Sequence, residues 1–205
     1  LNPVGAAYTD GTGTHQRALN SIGSISIHHD AMVRPHAYDS VARYRAEAAN
    51  HYGRLGPGIQ YHFKVDNQGT IFWLRPLETW LYVVGSNENT STIAICVDGY
   101  FQDDNTGKAQ DPTREQFEAL YQLIKWLCTE WPQFPATWPD VRPHADFTST
   151  ACAGNRLNTH IYPITSDATA QQQLLNQGVY DYPELQPSAP PPPPPADTRP
   201  EWEKN

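Results

Sequence analysis

Two histidines and one cysteine, on segments far apart in the sequence, are the residues with the clearest capacity for chemistry. His28 lies near the end of a run of alternating Ser and Ile (24–29), and His144 precedes Cys152 by eight residues. A catalytic zinc ion is held by three nitrogen, sulfur or oxygen ligands and keeps a fourth position for water. These three residues therefore predict a zinc centre that supports metal-assisted hydrolysis.

The alternation in 24–29 distinguishes the two adjacent histidines. The isoleucines of this run share one strand face with His29, whereas His28 shares the other face with the serines. This predicts His28 as the ligand and His29 as a structural or supporting residue. Taken alone, a strand histidine is usually a hydrogen-bonded structural residue, and a His and a Cys eight positions apart are weak evidence.

Composition limits the class of protein. A chain of 205 residues with 39% hydrophobic residues can form one domain with an ordinary core. Its net charge of −8 argues against binding nucleic acid or an anionic membrane, because phosphates would be repelled. Its apolar runs are too short to span a bilayer, so we expect no membrane span. Three sparse cysteines do not form a disulfide framework, and Cys96 and Cys128 lie in apolar patterns typical of core residues.

The chain divides into three parts by composition. Residues 1–20 are polar and rich in Gly and Thr, which predicts an irregular N-terminal arm lying on the domain, and residues 21–182 form the domain. Residues 183–205 form a Pro-rich tail whose six consecutive prolines (190–195) predict a polyproline II rod. The tail is interpreted as a linker to a further domain or a partner. The first residues show no secretory signal and no initiator Met, so we expect a processed N-terminus or a fragment boundary.

The predicted elements indicate an α/β fold: a single domain with a central mixed β-sheet, flanked by helices and carrying the zinc in an open groove. The turn 66–69 joins two alternating runs and predicts a hairpin. The run 92–97 is apolar on both faces, as in a central strand. Asp39 or Ser40, and Thr113 with Gln116, supply helix N-caps. The expected strands are 24–29, 59–65, 70–75 and 92–97, and the expected helices are 38–52, 113–130, a short one after Cys152 and 167–177.

Several short stretches, taken together and in order, resemble the zinc-dependent N-acetylmuramoyl-L-alanine amidases. This type-2 amidase family includes phage endolysins and peptidoglycan recognition proteins. Each stretch alone is unspecific, but the ordered set with its His-to-Cys spacing is much more specific. The resemblance covers roughly residues 20–160, and the matching stretches are 27–31, 58–63, 67–70, 91–95 with Gly99, and 144–154.

The resemblance implies roles for individual residues. His28, His144 and Cys152 fall at the zinc ligands, and Tyr61 falls where the family has a catalytic tyrosine near the zinc-bound water. Thr150 falls where many members have a lysine that steadies the oxyanion; a threonine can donate a hydrogen bond but brings no charge.

Other expectations concern the walls of the cleft. Trp73, Trp80 and Tyr82 could offer aromatic faces to sugar rings, although packing residues are an equally good interpretation. The chain also departs from the family pattern, with Cys-Ala-Gly in place of Cys-Pro-Gly at Cys152. A histidine that is often found near Gly85 is missing.

The expected function is cleavage of the amide between N-acetylmuramic acid and L-alanine in bacterial peptidoglycan. The expected protein is a phage or bacterial lysin acting on the cell wall, either released from a host cytoplasm or secreted and processed. One alternative is a cysteine-dependent wall hydrolase with Cys152 as nucleophile, His144 as base and Asp146 as orienting group, which leaves His28 without a role. Another is a non-enzymatic peptidoglycan-binding module; relatives of that kind typically lack a zinc ligand, whereas this chain keeps all three.

Overall fold

A five-stranded mixed sheet organises the part of the chain that the computed structural model describes, residues 15–52, 58–85, 87–130 and 140–166. The strands are β1 (Ser24–His29), β2 (Phe63–Val65), β3 (Ile71–Trp73), β4 (Thr92–Val97) and β5 (Val141–Pro143). Their spatial order is β3-β2-β4-β1-β5; β2 and β3 are antiparallel, and all other neighbours are parallel. The central mixed sheet expected from the sequence is confirmed.

In the described ranges, three α-helices accompany the sheet: α1 (Ser40–Tyr52), α2 (Arg114–Lys125) and α3 (Asn155–Ser166). A turn of π-helix, Trp126–Glu130, extends α2. Asp39 caps α1 by accepting a hydrogen bond from the Ala42 amide at 2.9 Å, and Thr113 forms the expected capping box at the start of α2. The predicted helix over 167–177, the Pro-rich tail and residues 1–14 lie outside the described residues.

The two faces of the sheet have different chemistry. Strand register aligns Ile27, Ile95 and Phe63 on one face, where the main apolar core packs with side chains of α2 and α3. The same register aligns His28, Cys96 and Lys64 on the opposite face, towards α1. The sheet thus separates an apolar core from a face that carries titratable groups.

The strand expected over 59–65 is shorter in the structure because a bulge interrupts its ladder. The amides of Leu74 and Arg75 both donate to the His62 carbonyl, so two residues of one strand oppose one of the other. The predicted hairpin of β2 and β3 is present despite the bulge. Gly69 turns with a φ of 77°, and a Cβ there would lie 2.6 Å from the Glu115 carbonyl oxygen.

One strand was not predicted. β5 has three residues including Pro143, too few to show an alternating pattern, yet it pairs with β1 and places His144 beside the sheet. The described end of the N-terminal arm lies against the domain, where the Arg17 amide donates to the Glu78 carbonyl and the Trp80 amide to the His15 carbonyl. In the described residues, every helix is too short or too polar to cross a bilayer.

Candidate metal centre

Two parallel strands and one loop bring His28, His144 and Cys152 together. Ile27 of β1 is paired with Pro143 of β5, so the next residue of each strand is a histidine at the same level of the sheet. The loop that follows is closed by a hydrogen bond of 2.7 Å from the Ala145 amide to the Cys152 carbonyl. Each of the three residues offers one potential ligand atom, and these atoms all lie within 4.8 Å of one another.

Ser26 fixes the orientation of the His28 ring. Its hydroxyl lies 2.8 Å from His28 Nε2 and donates to the Ile93 carbonyl at 3.3 Å, so it accepts from an Nε2–H. In the neutral ring this leaves the lone pair on Nδ1, which lies 3.6 Å from Cys152 Sγ. A hydrogen bond on the far nitrogen is the usual way in which proteins orient a metal-binding imidazole.

The backbone around Cys152 positions its sulfur. The His29 amide donates to Cys152 Sγ at 3.4 Å, and the Cys152 amide donates to Thr150 Oγ1 at 3.3 Å. Gly154, with a φ of 94°, lets the chain pass close to Phe101, whose carbonyl carbon would lie 2.4 Å from an added Cβ. The His29 side chain faces away from the site and accepts from the Phe101 amide at 3.2 Å.

The protonation of the three residues suits a cation. Burial, with His144 and His29 nearby, holds the pKa of His28 well below its usual range, and burial also lowers the pKa of His144. Both rings are therefore neutral and keep a lone pair at neutral pH. Burial raises the pKa of the Cys152 thiol to about 12. A bound divalent cation reverses this preference, because a coordinating thiol is deprotonated outright.

The residues present fit a metal ion. His144 Nε2 is buried and has no hydrogen-bond partner among the residues that the structure describes, and such an orphaned polar atom costs free energy that a ligand at the site would recover. Two imidazole nitrogens and one sulfur form a donor set that favours zinc among the common biological divalent cations. Three ligands also leave a coordination position open.

Tyr61 lies next to the three residues. Its ring centroid is 5.5 Å from that of His28 and 6.0 Å from that of His51 of α1. Burial, followed by the nearby Cys96 and Cys152, holds the pKa of its phenol well above the usual range. Tyr61 is therefore a hydrogen-bond donor beside the site and not a base.

The other predicted site residues differ in their placement. Thr150 is exposed, and its hydroxyl accepts a hydrogen bond from the Cys152 amide. Thr150 is therefore linked to the candidate centre through the backbone of Cys152. Trp73 is not brought to the centre: it packs with Phe63 and Trp126 on the opposite face of the sheet, and its Nε1–H donates to the Arg75 carbonyl at 2.6 Å.

Trp80 and Tyr82 belong to a small aromatic cluster. The Trp80 ring stacks on His15 at 4.2 Å between centroids and meets the Tyr82 ring edge-on at 5.1 Å. Tyr82 is 49% exposed. The segment that carries both rings lies close to Tyr61, because its Leu81 and Val83 belong to the apolar cluster against which Tyr61 packs. The role of both aromatic residues in sugar binding stays a prediction.

Sequence reasoning missed a buried charge network beneath the site. The fully buried Lys64 ammonium lies 2.6 Å from Glu47 Oε2, 2.9 Å from Asp98 Oδ1 and 3.6 Å from Asp30 Oδ2. Asp98 also accepts hydrogen bonds from Tyr38 and Tyr44. The register between strands, which the sequence does not show, places Lys64 beside His28 and Cys96. A lysine within an otherwise apolar strand is the signal that could have revealed the network.

The chain resembles known proteins in sequence and in fold. The sequence pattern of the N-acetylmuramoyl-L-alanine amidase family matches residues 18–155. Comparison with curated protein sequences gave no match. Among solved structures, the endolysin amidase LysCS from Clostridium intestinale is 25% identical, with a TM-score of 0.50 over 68% of this chain and 80% of that one.

Two further structures share the fold. The amidase LysC from Clostridium intestinale is 22% identical, with a TM-score of 0.55 over 71% of this chain and 86% of that one. Peptidoglycan recognition protein-LE, solved with a monomeric diaminopimelic acid-type peptidoglycan, is 22% identical, with a TM-score of 0.59 over 69% and 79%. With the family pattern covering the sheet, the histidine pair and the loop to Cys152, the chain belongs to the N-acetylmuramoyl-L-alanine amidase family.

Proposed function

We propose that this protein is a zinc-dependent peptidoglycan hydrolase that cleaves the amide between N-acetylmuramic acid and L-alanine. The observation that carries the proposal is the convergence of His28, His144 and Cys152, whose ligand atoms lie within 4.8 Å of one another. A metal group of this composition, in a chain of the amidase family, favours hydrolysis over binding alone. Phage or bacterial origin of such a lysin is part of the same proposal.

In this proposal the three ligands hold zinc, which when bound acidifies water and polarises the amide carbonyl. Tyr61 donates a hydrogen bond to the carbonyl oxygen as negative charge develops there, because its raised pKa keeps the phenol protonated. Thr150 keeps the Cys152 loop in place through the Cys152 amide, and its hydroxyl proton remains available to the substrate.

The cysteine-hydrolase alternative finds less support. A nucleophilic cysteine needs a lowered thiol pKa and a base that is oriented by a third group. Burial raises the pKa of Cys152, and the Asp146 carboxylate accepts from the Tyr162 hydroxyl at 2.8 Å. Asp146 therefore has a partner other than His144, and His28 would have no role.

Peptidoglycan binding without hydrolysis is the second candidate. It is favoured by the likeness to peptidoglycan recognition protein-LE, whose structure contains a peptidoglycan fragment. That likeness extends to the fold alone, since the identity is 22%. A complete set of three ligands is more than a binding module requires.

A digest of purified peptidoglycan separates these functions. The protein is incubated with the polymer, with and without a zinc chelator, and the products are assayed for new amino termini and new reducing sugars. We expect chelator-sensitive release of N-terminal alanine without new reducing ends. Release that survives chelation would favour the cysteine hydrolase. Sedimentation with the wall without any release would favour the binding module.

A further inference from the structure

A groove with a volume of about 390 Å³ adjoins the candidate centre on the side of α1. Tyr61 lines this groove and also lies against His28, so the groove begins where the scissile amide would be held. The loop after β1 forms one wall, with Asp30 and Arg34, and the face of α1 that carries Arg43, Glu47 and Asn50 forms the other. The volume falls in the range of about 300–1,000 Å³ that is usual for ligand sites.

The acidic groups of the groove already have cationic partners. Glu47 Oε2 lies 2.6 Å from the buried Lys64 ammonium, and Asp30 pairs with Arg34. Arg43 lies on the same face of α1, four residues before Glu47, where the two would ordinarily form an ion pair. Because Glu47 turns inward to Lys64, this pair is absent, and Arg43 has no side-chain hydrogen bond or ion pair with any residue in the described ranges.

We infer that Arg43 binds a carboxylate of the stem peptide and makes the protein selective for stems whose second residue carries a free α-carboxylate. This inference rests on the proposed function, since it assumes that the sugar-linked L-alanine sits beside Tyr61. The inference also takes the stem to run from Tyr61 along the groove past α1, so that the second residue lies at most about 3.3–3.6 Å beyond the L-alanine. In peptidoglycan that residue is γ-linked, so its α-carboxyl group is either free or amidated.

The chemistry of Arg43 discriminates between these two forms. A guanidinium offers a planar fork of donors that matches a carboxylate, and the charge-assisted hydrogen bonds are about twice as strong as neutral ones. A primary amide has one oxygen and an NH2 group where a carboxylate has two oxygens, so it cannot match the two parallel donors of the fork, and it carries no charge. Arg43 is partly exposed at the groove, which keeps the guanidinium accessible to a substrate.

The test compares two stem tetrapeptides without sugar that differ only in amidation of the second residue. Neither peptide has a scissile amide, so binding to the zinc-loaded protein is measured by calorimetry without turnover. We expect the free acid to bind about tenfold or more tightly, as for a charge-assisted hydrogen bond. Arg43→Gln should abolish the preference, because it should weaken binding of the free acid and leave binding of the amidated peptide unchanged. Arg45→Gln is the matched control, because Arg45 is exposed on the outer face of the same helix.

Cleavage assays with two muramyl peptides, whose stems differ only in amidation of the second residue, test the same preference during turnover. The preference should appear mainly in KM, since Arg43 would bind a carboxylate that takes no part in the reaction and is held equally in the ground state and the transition state. Equal binding of both tetrapeptides, or a preference that survives Arg43→Gln, overturns the inference and leaves amidase activity untouched. If binding is selective and depends on Arg43 but no N-terminal alanine is released from peptidoglycan, the inference is supported and the proposed hydrolysis is contradicted.

Discussion

At the scale of single residues, the most informative contact is the one between Ser26 and His28. The hydroxyl lies 2.8 Å from Nε2 and thereby selects the tautomer with a free Nδ1 lone pair. We expect Ser26→Ala to weaken zinc binding by about tenfold to a hundredfold, the usual cost of losing such a supporting hydrogen bond. Competition with a chromophoric chelator measures this affinity.

Ser24 provides the control for Ser26. It lies on the same strand face two residues earlier, is buried, and bonds Thr92 Oγ1 at 2.8 Å without touching His28. Ser24→Ala should lower stability slightly and leave zinc affinity unchanged. An equal loss of zinc affinity in both variants would mean that Ser26 acts only through the strand.

Cys152 is the ligand whose loss should be clearest. Cys152→Ser replaces a soft thiolate with a hydroxyl that ionises poorly, so zinc content after dialysis and release of N-terminal alanine should both fall by at least about tenfold. Cys128→Ser is the matched control, since Cys128 is partly buried at the end of α2, away from the three residues of the candidate centre. Full activity in Cys152→Ser would remove this residue from the ligand set.

The sequence allowed the three candidate ligands to be predicted but not the groups that orient them. The histidine pair and the His-to-Cys spacing can be read from the sequence, whereas the hydrogen bond between Ser26 and His28 depends on side-chain rotamers that the sequence does not show. Trp73 shows the converse: its aromatic type suggested sugar binding, but register with Phe63 places it on the core face of the sheet.

At the scale of elements, Lys64 links β2, β4 and α1 through its contacts with Asp98 and Glu47. Lys64→Met leaves buried carboxylates without their cation, and we expect a loss of about 3–5 kcal/mol in the free energy of unfolding. Urea denaturation measures it. Glu118→Ala, which breaks the exposed pair with Arg114, should cost at most about 0.5 kcal/mol. Similar costs for the two variants would show that the buried network contributes little.

The long elements were predictable because their patterns are regular. β4 is apolar on both faces and lies at the centre of the sheet, and Thr113 caps α2 as its sequence indicates. β5 was missed because three residues with a proline carry no alternation. The strand predicted over 59–65 was longer than β2, because the bulge opposite His62 arises from pairing with the next strand and leaves the alternating sequence pattern intact.

At the scale of the whole molecule, buried neutral histidines should make stability depend on pH. His62 is fully buried; its Nδ1 accepts from the Ala94 amide and its Nε2–H donates to the Thr79 carbonyl. Burial, with Arg17 nearby, holds its pKa well below 6.5, so below pH 6.5 the unfolded chain binds a proton that the folded one does not. Stability is full above that pH and falls below it, by about 2 kcal/mol at pH 5 from His62 alone.

Urea denaturation of the chelated protein at pH 7.5 and pH 5.0 tests this linkage. His62→Gln should lower stability at pH 7.5 and reduce the difference between the two pH values by about 2 kcal/mol. His36→Gln, at an exposed position, should leave the difference unchanged. An undiminished pH dependence in His62→Gln would assign the effect to other groups.

The most direct test of the central claim is zinc X-ray absorption on the purified protein with one equivalent of metal. A centre built from His28, His144 and Cys152 predicts one sulfur at about 2.3 Å and nitrogen or oxygen neighbours at about 2.0–2.1 Å. The sulfur contribution should disappear in Cys152→Ser and persist in Cys128→Ser. A zinc environment without sulfur in the unmodified protein, or failure to retain zinc at all, would contradict the account.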